Sequence, residues 1–427
     1  MKRLTVLWSI GALSVVFIAV GIAVLLSIPV NVFRGVSEAV VLSNGSETLR
    51  KWADPPYDML LQFWFFNVTN PSEVLFNGAK PALVQCGPYS YVNRQQKRNL
   101  NFASNNTVQY RLFQSYHFSE ERSCKSCRET DLILVPHVPY WSVVHRLRNS
   151  PIKKTIKRLA DMGLTAIGEE PFTTQTVALL LFKGYEDPVF KLGNMISWLF
   201  PNTYIPLKMG FFYGKNATLD EPVSVRTGIG DFSRVGQIVS VNGNTSVNFW
   251  RDRWSNMING TDGTIYPPFL TRSSRLPVYA MDLCRVKFFF RSMEMEYESD
   301  TDVAGIPAYR FAVPASSFNS SLADNAGFCW PTDIFYPDLQ KPDSDGRACL
   351  PSGLLNVSKC KNNAPIVISS PHFLYSEDEV VHSVIGLKPD VQEHGSYIDI
   401  EPTTGVGLVF QQRLQINVAL VNDEDFS

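Results

Sequence analysis

Leu408-Val-Phe-Gln-Gln-Arg-Leu-Gln-Ile-Asn-Val418 decides the fold class. Its second half, Leu414 to Val418, alternates apolar and polar side chains. That is the period-2 pattern of a strand with one buried face, not the 3.6-residue period of a helix. The same texture recurs at Val235-Gly-Gln-Ile-Val-Ser-Val241, Ala308-Tyr-Arg-Phe-Ala-Val313 and Ile366-Val-Ile-Ser369, each bounded by Gly, Pro, Asn or Asp. Such punctuation reads as antiparallel strands. Asn242-Gly243, Asn259-Gly260 and Asp262-Gly263 supply residues that tolerate positive φ in hairpins and loops. No strand here alternates with a long helix, which argues against a doubly wound parallel sheet. The expected class is α+β, mainly antiparallel β.

Helical pattern gathers in the first half. Ser150-Pro151 offers an N-cap followed by proline at the first helical position. Ile152, Ile156 and Leu159 then share one face, which is expected to pack inward. Lys153, Lys154, Lys157 and Arg158 occupy the remainder, and six Lys/Arg lie between Arg146 and Arg158 with no acidic residue among them. In a chain of net charge -1 this is the strongest local charge excess. It is either a solvated helix face or a surface that attracts phospholipid, fatty-acid carboxylate or modified lipoprotein. Further helices are expected through Thr174–Phe182 and around Pro188–Phe200.

The N-terminus sets the compartment. Leu4 to Phe33 carries no charge, and Leu4 to Val30 as a helix would span roughly 40 Å at about 1.5 Å per residue. A hydrocarbon core of about 30 Å is crossed by that length with some tilt. A cleaved signal peptide is the rival reading, but its apolar region is shorter, and Ser27-Ile28-Pro29 is a poor cleavage site. Lys2 and Arg3 precede the span, so residues 1–3 form a cytosolic tail, 4–30 the anchor, and 34–427 one extracellular or lumenal ectodomain. Eight sequons support that topology, at Asn44, Asn67, Asn105, Asn216, Asn244, Asn259, Asn319 and Asn356.

With 45% hydrophobic residues over 427 positions, the chain can bury one large core or two ordinary ones, and its near-zero charge argues against nucleic acid as a partner. Four of the seven cysteines fall in Cys284–Cys360, which reads as a disulfide framework whose pairing spacing alone cannot choose. Cys124-Lys-Ser-Cys127 could be half a zinc site with Cys86 or His117, or free thiols. A disulfide is the preferred reading, because no second closely spaced Cys/His pair accompanies it. There is no Gly-x-Ser-x-Gly elbow, no His-Glu-x-x-His and no Walker loop. A membrane-anchored hydrolase is therefore the lesser alternative, with no catalytic residue, metal ligand or cofactor assigned. His372, in an expected strand, reads as a satisfied core histidine.

Several segments in order carry a resemblance. They are Gly87-Pro-Tyr-Ser-Tyr91, Gly184-Tyr-Glu-Asp-Pro188, Met257-Ile-Asn-Gly-Thr-Asp262 with Pro267-Pro-Phe269, and Asp282-Leu-Cys-Arg285. Ile306-Pro-Ala-Tyr-Arg-Phe311, Ser358-Lys-Cys-Lys361, Pro371-His-Phe-Leu-Tyr375 and Tyr397-Ile-Asp-Ile-Glu-Pro-Thr-Thr-Gly405 complete them. Together they resemble the class B scavenger receptor family, which includes the fatty-acid translocase, the high-density-lipoprotein receptor and the lysosomal integral membrane protein. The resemblance implies an irregular antiparallel β-barrel crossed by a lipid tunnel, a helical bundle at the membrane-distal apex (about 145–200), and a transmembrane helix at each end. The second helix is not in this chain, which stops at Ser427.

The same resemblance implies Cys284–Cys360 and Cys329–Cys349 as pairs. Cys86, Cys124 and Cys127 have no assigned partner in it, and Cys124–Cys127 is the favoured bond within that trio. Where some relatives carry a further cysteine, this chain has Ser255. The Pro151 helix corresponds to the apical helices, which makes Lys153, Lys154, Lys157 and Arg158 the expected ligand-binding residues. Fatty acids, phospholipids, sterols, lipoproteins or anionic particles are the implied ligands, with a protein ligand at the apex as the alternative. The implied location is the plasma membrane, or else the lysosomal or endosomal membrane.

Overall fold

The structure, a computed structural model, describes residues 2–148, 154–195, 205–248, 250–280, 291–329, 341–342, 348–358 and 364–420. The N-terminal helix α1 (Lys2–Ala39) is longer than the expected anchor and continues through Pro29. Proline removes one amide donor there, a loss that spanning helices accommodate. Gly11–Ala39 is long and apolar enough to cross a membrane, and none of its apolar window is covered by the rest of the protein. The last turns instead dock on the protein body. Phe33 stacks on Phe269 at 4.7 Å and meets Phe232 edge-on at 5.6 Å. Helix α2 (Glu47–Ala53) begins at Ser46, whose hydroxyl accepts from Leu49 N, with Glu47 in its first turn and Arg50 and Lys51 in its last. Each of these placements favours the helix dipole.

Two five-stranded antiparallel sheets form the body. The first is ordered β1 (Met59–Val68), β2 (Leu83–Ala103), β3 (Thr107–Phe118), β6 (Thr218–Arg226), β7 (Ile238–Val241). The second runs β16 (Val406–Gln411), β15 (Tyr397–Glu401), β10 (Ile306–Ala312), β9 (Arg291–Val303), β8 (Arg275–Ala280). Among the described residues both strand orders are open. Val108, Tyr110, Val223, Val225 and Ile238 of the first sheet share a buried core with Tyr279 of β8, so the two sheets meet. Smaller ladders join β4 (Leu132–Pro136) to β5 (Phe172–Thr176), β11 (Lys341–Pro342) to β12 (Ala348–Cys349), and β13 (Leu355–Asn356), β14 (Ile366–Ser369) and β17 (Gln415–Val418) to one another. The opening stretch thus makes two strands, β16 and β17, with a break after Gln411.

Gly87 shows why one motif needs its glycine. The β1–β2 register shifts between Phe63 and Phe65, and Gly87 crosses that irregularity at φ 139°. A Cβ there would lie 2.7 Å from Phe63 O, a contact no side chain tolerates. The Met257–Asp262 motif ends in a buried ion pair. Lys97 Nζ lies 3.5 Å from Asp262 Oδ2, which also accepts from Tyr110 Oη at 2.7 Å. Burial alone would raise the Asp262 carboxyl, but Lys97, Thr264 and Tyr110 outweigh it and hold it below its ordinary value.

Beyond the short α3 (Pro71–Asn77), a helical group forms in which α5 (Lys154–Ala166) and α6 (Pro188–Met195) both pack on α4 (Val138–Arg148). Tyr140, Trp141, Val144 and Leu164 form their core, with Val189 and the β17 residue Val418 against it. The helix expected through Thr174–Phe182 is corrected. Thr174–Thr176 belongs to β5, registered against Leu132–Leu134, and the helical turn covers only residues 177–183, with Leu179–Lys183 as a short π-helix. The β-branched threonines fit a pleated edge, and β4 offers one. His372 is also corrected, because it sits in the 3₁₀ turn Pro371–Phe373 at φ 54° instead of a strand. It is nonetheless buried and bonded through both ring nitrogens, to Gln85 Oε1 and Lys388 N.

Candidate functional site

The candidate site is the outward side of the α4–α5–α6 group, where the basic run lies. Ser150-Pro151, Ile152 and Lys153 fall outside the described residues, as does the Ile156 side chain. Lys154 and Arg158 are exposed on α5. Lys157 is not on that face. It is half-buried, and its Nζ donates to Arg148 O at 2.9 Å, satisfying a carbonyl at the C-terminal end of α4. The structure therefore brings two of the four expected cations to the surface and uses a third to join two helices.

The apolar face of α5 is rotated from expectation. Leu159 is 66% exposed and Met162 67%, while Asp161 and Leu164 are buried. The inward stripe is thus Lys157, Asp161 and Leu164, again at intervals of four and three. Tyr140 lies close enough to Asp161 that burial, with the carboxylate second, pushes its phenol up to about 12. The inward expectation for Leu159 fails because polar groups with specific partners took the interior side of the helix. On α6, Leu192 and Met195 are also exposed, at 48% and 76%. Met162 and Met195 escaped the sequence reading, because an exposed methionine has the same letter pattern as a packed one.

His145 of α4 is buried at 3% exposure. Burial first, and the Arg148 charge second, lower its pKa to about 4, so it stays neutral at ordinary pH. Asp187 caps α6 by accepting from Val189 N at 2.9 Å. It follows Gly184, which at φ 66° lies so close to Tyr213 that a Cβ would meet the ring at 2.8 Å. The Gly184–Pro188 motif is in this way a tight turn delivering a helix cap.

The covalent features are placed as follows. Cys124 is joined to Cys127 and Cys329 to Cys349. Cys86 is a half-buried thiol, raised by burial and by Asp131. Cys284 and Cys360 lie outside the described residues. Asn44, Asn105, Asn216 and Asn244 are exposed, and Asn67, Asn259 and Asn319 half-exposed. Asn356 is 5% exposed within β13, where the folded chain gives a glycan no room.

Comparison with known proteins completes the picture. The sequence profile of the CD36 family matches residues 12–427. Lysosome membrane protein 2 of Homo sapiens is 34% identical over 426 residues, covering 98% of this chain and 81% of that protein. Scavenger receptor class B member 1 of Rattus norvegicus is 33% identical over 412 residues, covering 96% and 74%. The corresponding protein of Sus scrofa is 32% identical over 413 residues, covering 96% and 75%. The match runs from the apolar helix through both sheets and the three packed helices, and the chain belongs to the CD36 family of membrane scavenger receptors.

Proposed function

We propose that this receptor captures lipids and anionic lipid particles on the outward face of α5, and passes the hydrophobic ligand through its ectodomain to the membrane. One observation carries the reading: Lys154 and Arg158 stand beside the uncovered Leu159 and Met162 on the same helix. Uncovered apolar side chains rimmed by charge are a signature of binding surfaces. Cations steer an anionic particle in, and apolar contact holds it. A conduit suits such a ligand, since each acyl methylene left in water costs about 0.8 kcal/mol. The ectodomain would face the outside of the plasma membrane or the lumen of a lysosome or endosome.

The test is association with phosphatidylserine vesicles at varied salt. Lys154→Glu with Arg158→Glu should slow association and flatten its salt dependence, because screening acts within about 8 Å at 0.15 M. Leu159→Ser with Met162→Ser should leave association alone and speed dissociation. If both pairs bind as the parent does, this face is only solvated. A second reading has the same surface hold a protein carried to the lysosome. The identity with lysosome membrane protein 2 and the adaptable exposed methionines favour it. Binding of a protein but not of vesicles would select it.

A further inference from the structure

Three segments meet beneath the helical group. His137 joins β4 to α4, with its amide donating to Pro171 O at 2.9 Å. Glu169 follows the end of α5, and its amide donates to Leu164 O at 3.0 Å. Asp187 is the cap of α6 described above. Their side chains converge, with His137 Nε2 2.8 Å from Asp187 Oδ2 and Nδ1 3.2 Å from Glu169 Oε2. Exposure of the three side chains is 8%, 3% and 1%. One ring nitrogen and one oxygen from each carboxylate all lie within 4.8 Å of one another.

Charge and hydrogen bonding leave the cluster incomplete. Glu170 O lies 3.0 Å from His137 Nδ1. A carbonyl only accepts, so Nδ1 carries the hydrogen, and the Nε2 lone pair faces the Asp187 carboxylate. Two acceptors at 2.8 Å require a positive species between them. Among the described residues, neither carboxylate has a Lys or Arg partner. Glu169 Oε2 is buried with no hydrogen-bond partner among the described residues. One proton on the ring would leave a buried net charge of about -1, which is costly. A divalent ion on neutral imidazole and two carboxylates leaves none.

We propose that His137, Glu169 and Asp187 form a buried binding site for a divalent transition metal of the zinc class. Imidazole with carboxylates suits zinc, whereas magnesium and calcium want a shell of oxygens. The surroundings match what metal-bound histidine and carboxylate need: Glu170 O fixes the tautomer and Val189 N orients Asp187. Bonds of about 2.0–2.1 Å in a tetrahedral shell set ligand atoms about 3.3 Å apart, so Asp187 needs to draw back a few tenths of an ångström from Nε2, and the Glu169 carboxylate to turn from Nδ1 toward it. A bidentate Glu169 would complete four positions. The site is closed, hence structural, and it would clamp α4, α5 and α6 to the β4–β5 ladder.

The experiment uses the full chain in detergent, stripped by chelator at neutral pH and titrated calorimetrically with zinc chloride or magnesium chloride alone. The expected result is one zinc per chain, no magnesium uptake, and a higher Tm with zinc than with chelator. Glu169→Gln keeps the shape and should lower zinc affinity roughly tenfold or more, the range lost even from outer-shell changes. No uptake at one equivalent, with Tm indifferent to zinc and chelator, would overturn the proposal and leave protons as the neutralising species. Undiminished uptake by Glu169→Gln would overturn it equally, by moving the zinc elsewhere. Should that variant fail to fold, the parent chain's preference between zinc and magnesium decides alone.

Discussion

At the scale of single residues, two histidines give the protein a sign of pH response. His145 and His372 are both buried, and burial, with Arg148 beside one and His394 beside the other, lowers each pKa to about 4. An unfolded histidine titrates at about 6.5. Between those values the unfolded chain binds more protons than the folded one, so stability falls as pH falls. The contribution is complete above pH ~6.5 and is lost progressively toward about 4, at up to about 1.4 kcal/mol per pH unit for each group. Thermal unfolding from pH 7 to 4.5 should show that slope, and His145→Gln should flatten it. An unchanged slope in that variant would assign the acid sensitivity to other groups. His372 also shows how a residue's role can be legible while its setting is not. Its satisfaction was expected, yet its left-handed backbone is dictated by the turn that seats it against Gln85 and Lys388.

At the scale of elements, α5 is the informative case. Its period was readable, but the direction of its faces was not. Leu159→Asp should leave stability within about 0.5 kcal/mol, as surface changes do, because its side chain is mostly exposed. Leu164→Ala should cost about 2–5 kcal/mol, the range for truncating a packed leucine, because Leu164 lies in the core with Tyr140 and Trp141. Denaturant unfolding of the two variants separates them, and equal losses would mean that α5 sits as the letter pattern alone suggested. The threonine-rich stretch at 173–176 became a strand for a similar reason, since its hydrogen-bond partner β4 lies about 40 residues away. A window of local sequence does not contain that partner.

At the scale of the whole molecule, topology and surface make a joint prediction. The N-terminal helix should remain in the mature chain, and enzymatic deglycosylation should mark sequons among Asn44, Asn105, Asn216 and Asn244, all exposed. Asn356 should stay unmarked, since it is buried in β13. Peptide mapping by mass spectrometry checks both halves. A mature N-terminus after Val30 would remove the anchor, and a glycan on Asn356 would require that strand to be open. The sequence by itself determined the apolar span, the antiparallel class and the family, because each is written in local periodicity or in short motifs with fixed order. The tertiary structure alone decided that Leu159 faces outward and Lys157 inward, that α1 reaches Ala39 to rest Phe33 on Phe269, and that His137, Glu169 and Asp187 share one buried point. Those three residues are 32 and 18 positions apart in turn, and no spacing rule links them. Burial and charge act through distance in space, and only the folded chain sets that distance.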